Sequence, residues 1–164
     1  MKIADKLMNR FWLISLIVFV GFLFFMSCKR NQSPLDSELE EITNIEVAYQ
    51  KWQGNKSSSY QIEQRFICFC ISPAGRWIRV TVKDNEIEAA LDLETSSVYS
   101  TEIFDKLYTI EEAFQQIRNF EERNPATLEI EYDPRYGYPK RINFDGSTGI
   151  ADDEFTLEMR SFKK

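Results

Sequence analysis

The chain has 164 residues, 26 of them acidic and 20 basic, a formal net charge of −6, and no histidine. Without histidine, Ser-His-Asp and Cys-His nucleophilic sites, His-ligated zinc and imidazole general bases are excluded unless a partner chain supplies the ring. Neither a GxGxxG nor a GxxxxGK[ST] string occurs, which removes the common phosphate-cradling loops. The expectation is a protein with no cofactor and no catalytic residues.

At the start, Lys2, Lys6 and Arg10 precede an uncharged, predominantly apolar run from Phe11 to Met26, which Ser27-Cys28 ends. A basic stretch, an apolar run shorter than the roughly 20 residues of a bilayer-spanning helix, and a small residue at the break are the grammar of an export signal. A small residue followed by cysteine resembles the lipobox of bacterial lipoproteins. That resemblance implies cleavage after residue 27, diacylation of Cys28, and anchoring to a membrane through the lipid. Phe25 and Met26 stand where the lipobox prefers leucine and a small residue, and an uncleaved signal anchor is the alternative. Either outcome places the rest of the chain outside the cytoplasm, facing the periplasm or the cell surface. Lys29 is not the aspartate that, by analogy with well-studied lipoproteins, retains proteins at the inner membrane, so the outer membrane is expected.

Removing Lys2, Lys6, Arg10 and Asp5 leaves 17 basic and 25 acidic residues, a net −8. Such a field repels phosphate backbones and anionic headgroups, so nucleic acid is not an expected partner and the lipid must do the anchoring. Residues 28–36 read as the lipidated cysteine and a polar tether, and 37–164 as one globular domain, about 130 residues being marginal for two.

In that domain, Ser37 and Glu40 form a capping-box signature, and Leu39, Ile42, Ile45, Tyr49 and Trp52 make a helical stripe that stops near Gly54. Alternation then takes over from Ser59 to Ile71, with Tyr60, Ile62, Phe66, Cys68 and Cys70 on one face. After the Ser72-Pro73-Ala74-Gly75 turn come Ile78, Val80 and Val82, then an Asp84-Asn85 turn into a third strand from Glu86 to Leu93. Residues 95–107 carry no clear period. The order then repeats: a Thr109/Glu112 capping box, a stripe of Ile110, Ala113, Phe114, Ile117 and Phe120 ended by Asn124-Pro125, and strands at 128–132, 138–144 and 154–162. The predicted class is α+β, a helix plus a three-stranded antiparallel meander occurring twice, with helices packed on one face of the sheet.

Three stretches could carry chemistry. Cys68-Phe69-Cys70 puts two thiols on one strand face in an oxidising compartment. Their Cα atoms, about 6.6 Å apart in a regular strand, would need a bulge to close a disulfide. A structural disulfide, two buried thiols and a redox pair all remain open readings, although exchange chemistry would want an exposed thiol near positive charge. The loop from Asp145 to Glu154 offers Asp145, Asp152, Asp153 and Glu154, oxygen-rich but without EF-hand spacing. Metal is therefore not expected there, and a calcium-dependent module is only a third reading. Tyr132-Asp133-Pro134-Arg135-Tyr136-Gly137-Tyr138-Pro139 crowds Tyr132, Tyr136 and Tyr138 at one corner, as a ligand surface or as rings that cover the sheet end.

Trp52, Tyr60, Cys68-Phe69-Cys70, the Asp84 turn, Thr109-Ile110 with Phe114, Tyr136-Gly137-Tyr138-Pro139 and Asp152-Asp153-Glu154 before Phe162 together resemble a domain-of-unknown-function family of exported bacterial proteins and lipoproteins. Its signatures are Cys-Phe-Cys and Tyr-Asp-Pro-x-Tyr-Gly-Tyr-Pro, and the resemblance runs from about Trp52 to the C-terminus. Asn85 departs from the glycine often found in that turn. The resemblance implies location and fold and brings no activity. On these grounds the expected role is a non-enzymatic envelope lipoprotein that binds an envelope protein or ligand.

Overall fold

A computed structural model of the protein describes residues 41–68, 73–150 and 152–164, all within one unit, Leu39–Lys164. The leader, Cys28, the tether, the Ser37/Glu40 capping box and Cys70 lie outside the described residues. The elements are α1 (Ile45–Asn55), β1 (Ser59–Cys68), β2 (Ile78–Lys83), β3 (Glu86–Asp92), a 3-10 helix (Thr101–Lys106), α2 (Ile110–Glu122), β4 (Thr127–Tyr132), β5 (Pro139–Asp145) and β6 (Phe155–Lys163). The fold is therefore mixed α+β, with six antiparallel strands in the order β3-β2-β1-β6-β5-β4. Two runs of sequence-adjacent strands meet along β1 and β6.

The first helix differs from the sequence expectation. Residues 41–44 are not helical, and Asn44 is the N-cap, its side chain accepting from the N–H groups of Glu46 and Val47 at 2.8 and 3.2 Å. Asparagine caps as well as serine does, because its oxygen satisfies donors the first turn leaves orphaned. Ile42 joins the core from outside the helix. The second helix follows its sequence signals: Thr109 Oγ1 accepts from Glu112 N at 3.2 Å while Glu112 Oε2 accepts from Thr109 N at 2.7 Å. All five apolar stripe residues of α2 are buried.

Strand register explains where the core lies. Tyr60, Ile62, Gln64 and Phe66 of β1 stand opposite Val82, Val80 and Ile78 on one side, and opposite Met159 and Leu157 on the other. Ile142 and Phe144 continue the same rows onto β5, and Leu128 and Ile130 onto β4. Rings from the helices meet residues of these rows. Trp52 contacts Tyr60 at 5.6 Å, Phe120 stacks on Phe144 at 3.9 Å, and Phe114 stacks on Tyr132 at 6.1 Å. Such geometries add to the burial that dominates core stability.

Residues 95–107, which carried no period, divide into an extended stretch with one isolated bridge and the 3-10 helix. Val98 bridges Leu91, and Asp92 organises the turn between them. Its Oδ1 accepts from Glu94 N and Thr95 N, and its Oδ2 from Arg76 Nη1 at 2.8 Å and the Tyr99 hydroxyl at 2.9 Å. The Arg76 guanidinium first, and then the two N–H groups, hold the Asp92 carboxyl well below the usual carboxylate range.

The β2–β3 turn places both Asp84 and Asn85 at positive φ, 50° and 66°. Aspartate and asparagine tolerate this region better than other side chains do. Asn85→Gly is expected to leave the melting temperature nearly unchanged, within about 0.5 kcal/mol, whereas Asn85→Val should lower stability by roughly 1–2 kcal/mol. Thermal melts of the two variants check this; equal melting temperatures would contradict the turn assignment.

Candidate functional site

The Tyr-Asp-Pro corner is a docking element for α1. Asp133 Oδ1 accepts from Arg135 N and Tyr136 N at 2.9 and 2.7 Å, and Asp133 N donates to Tyr138 O at 2.8 Å. This closed turn brings Gly137, at φ +86°, against the helix backbone. A Cβ there would lie 2.4 Å from Ala48 O and 2.8 Å from Trp52 N. Lys51 Nζ donates across the contact to Pro134 O. Of the three tyrosines, Tyr132 and Tyr138 are buried at 7 % and 4 % exposure. Tyr136 is half-buried, its ring 4.9 Å from Phe162. Burial raises the Tyr138 hydroxyl pKa, and the Asp133 charge and hydrogen bond add to it. Two of the rings are thus committed to packing, and only Tyr136 offers part of a face to solvent.

A buried polar pair, not anticipated from the sequence, ties β1 to the chain entering α2. Gln64, fully buried, donates through Nε2 to Tyr108 O at 3.0 Å and accepts at Oε1 from Tyr108 N at 3.1 Å. The signal was its position: it occupies the inward phase between Ile62 and Phe66. Nearby, the Tyr60 hydroxyl accepts from Ile110 N at 2.9 Å, and Trp52 Nε1 donates to Glu111 Oε1 at 3.1 Å. Desolvation raises the Tyr60 pKa first of all, the Ile110 bond opposes it, and Glu111 adds to it.

The other sheet face carries cross-strand charge rows. Glu63 lies between Arg79 and Arg160, which donate to it at 2.9 and 3.0 Å, and Arg65 pairs with Glu158. Arg160 and Arg65 also place their guanidinium carbons 3.7 and 4.7 Å from the Trp77 ring centroid, a cation–π contact. Opposite charges across strands favour one register. Burial raises the Glu63 pKa, but hydrogen bonds from Arg79, Arg160 and Ser161 together lower it further, so the net shift is downward. A depressed folded-state pKa means that the unfolded chain takes up the proton more readily. The resulting stability is present above the ordinary glutamate pKa of 4.5 and is lost as pH falls through the folded value. Glu63→Gln should therefore lower the urea midpoint at pH 7, and the gap to wild type should narrow as pH falls below about 4. A gap constant across pH would contradict the ion pairing.

The acidic loop is locally engaged. Asp145 Oδ1 accepts from Ser147 N at 3.0 Å. The Asp153 carboxylate lies against Gly146, where an added Cβ would sit 2.6 Å from Asp153 Oδ2. Asp152 and Glu154 are exposed. Among the described residues no three His, Cys, Asp or Glu side chains group as a metal ion requires.

Cys68, at the end of β1, is disulfide-bonded; the other two cysteines, Cys28 and Cys70, lie outside the described residues. Cys68 lines an apolar cavity of about 420 Å3 with Phe66, Pro73, Tyr108, Phe155 and Lys106.

A family model described as DUF6174, a family of unknown function, matches residues 44–164. The chain belongs to that family. In this DUF6174 domain the match opens on the N-cap of α1 and takes in every helix and strand described above. No curated protein and no solved structure matches the chain. Membership brings no activity with it, so the chemistry of the DUF6174 domain rests on its own residues. Among those described, no helix is long and apolar enough to cross a membrane.

Proposed function

We propose that the protein is an exported bacterial lipoprotein, anchored through diacylated Cys28, whose acidic domain binds an envelope protein or ligand and catalyses no reaction. The observation that carries the reading is the leader, in which three basic residues precede the apolar run from Phe11 to Met26 and the Ser27-Cys28 break. The disulfide at Cys68 supports it independently, because such bonds persist in oxidising compartments. The domain's net negative charge supports attachment through the lipid, because its surface repels anionic headgroups. Fractionation tests the anchor. Wild-type protein should stay in the membrane pellet through high salt and leave it only in detergent, and radiolabelled palmitate should enter it but not Cys28→Ala. Label in Cys28→Ala, or wild type released by salt, would overturn the reading.

A second reading, thiol-disulfide exchange, is favoured by one observation: the bonded Cys68 shares its cavity with Lys106, a cation of the kind that lowers a thiol pKa. After reduction, alkylation of Cys68 with a midpoint well below the ordinary thiol pKa of about 8.5 would support exchange. An ordinary midpoint, or a protected thiol, would remove it.

A further inference from the structure

A groove of about 500 Å3 runs between the β2–β3 turn, the 3-10 helix and the first turns of α2. None of the stretches singled out in the sequence contributes its rings, thiols or loop carboxylates to it. Its lining brings together two kinds of group. Phe104 supplies ring surface, Tyr108 borders the groove with its ring packed on Phe66 and Phe155, and Asn85, Gln116, Glu86 and Asp105 supply polar groups. Phe104 is half-buried and, among the described residues, has no ring partner, unlike the paired rings of the core. The Asn85 and Gln116 amides make no hydrogen bond within the described residues, so their donors and acceptors face solvent. No lysine or arginine lines the groove.

We propose that this groove binds an oligosaccharide built of uncharged sugars. A sugar ring presents an apolar C–H face that can lie on an aromatic ring, and a rim of hydroxyls that both donate and accept. Asparagine and glutamine match that rim because each side chain carries a donor and an acceptor side by side, and carboxylates accept from the remaining hydroxyls. Glu86 and Asp105, with no base among the lining residues, turn away phosphorylated or uronic sugars by repulsion. The size falls within the range of small-ligand sites. The proposal deepens the binding reading and rests on it, but it does not depend on the anchor.

The test is calorimetric titration of the full chain in detergent with maltohexaose, cellohexaose, chitohexaose, a hexagalacturonate and hexalysine. The expected result is saturable binding of at least one neutral hexasaccharide, little changed by 0.5 M salt, and no binding of the hexagalacturonate. Phe104→Ala and Gln116→Ala should each weaken it by roughly tenfold or more, the loss of about one good contact, with circular dichroism unchanged for Gln116→Ala. No heat from any neutral sugar at about 1 mM overturns the proposal. Salt-sensitive binding of hexalysine alone also overturns it and assigns the groove to a cationic peptide. Lipid at Cys28 is read separately by mass, so failure here leaves the anchor standing.

Discussion

Replacing Gly137 by alanine is expected to lower the stability of the domain by about 3–5 kcal/mol, enough to unfold a marginal protein of this size. Two effects add. At φ +86° any side chain is strained, and the new methyl would sit 2.4 Å from Ala48 O and 2.8 Å from Trp52 N. Helix backbone held in its own hydrogen bonds cannot move aside as a flexible side chain can, so α1 must shift off the sheet. Gly146→Ala is the control. There the nearest atom is Asp153 Oδ2 at 2.6 Å, the end of a side chain that can rotate away, and the loss should stay under about 1 kcal/mol. Urea unfolding of both variants separates the cases; equal losses would mean that the corner does not dock on α1.

Removing the Trp52 indole should be almost as damaging, about 3–5 kcal/mol for Trp52→Ala. The ring is fully buried and lies edge-on to Tyr60 and Phe162 at 5.6 and 5.3 Å. Its N–H also donates to Glu111 Oε1, so truncation opens a cavity and takes a donor from a carboxylate at the start of α2. Trp52→Phe keeps most of the ring and loses the bond, for which about 1–2 kcal/mol is expected. A Trp52→Phe variant as unstable as Trp52→Ala would shift the weight from packing to the Glu111 bond.

Periodicity and capping residues make most of the fold legible in the sequence. The Thr109/Glu112 box, the α2 stripe and the alternation of Tyr60, Ile62 and Phe66 are local signals, and local signals survive folding when they agree with the global pattern. The start of α1 differs from the stripe because residues 41–44 are not helical and Asn44, a competent cap inside that stripe, opens the helix. The β1–β6 pairing that joins the two strand runs was not legible at all, since non-local pairing leaves no spacing to read. Gln64 is not legible as a core residue, because a polar residue on an inward phase reads as a break in the pattern and its partners are the backbone groups of Tyr108. The tyrosine corner showed its composition but not its purpose. What the corner packs against depends on what Gly137 touches, a residue more than eighty positions away from Ala48 and Trp52 in the chain.

The groove beside the 3-10 helix was invisible for a related reason. Its lining comes from three elements, the β2–β3 turn, the 3-10 helix and α2, and the stretch from 95 to 107 has no period from which to place Phe104 or Asp105. Carboxylates and amides at turns are usually solvating groups, so no single stretch singled them out.

The most direct test is the intact mass of the protein extracted from membranes, with and without reduction and alkylation, beside a Cys28→Ala version. The expected result is a wild-type chain that begins at Cys28 and carries added acyl mass. Reduction should add about two protons, as opening one disulfide requires, and Cys28→Ala should carry no lipid. A full-length chain without acyl mass would contradict the account, making Phe11 to Met26 an uncleaved anchor and Cys28 an ordinary residue.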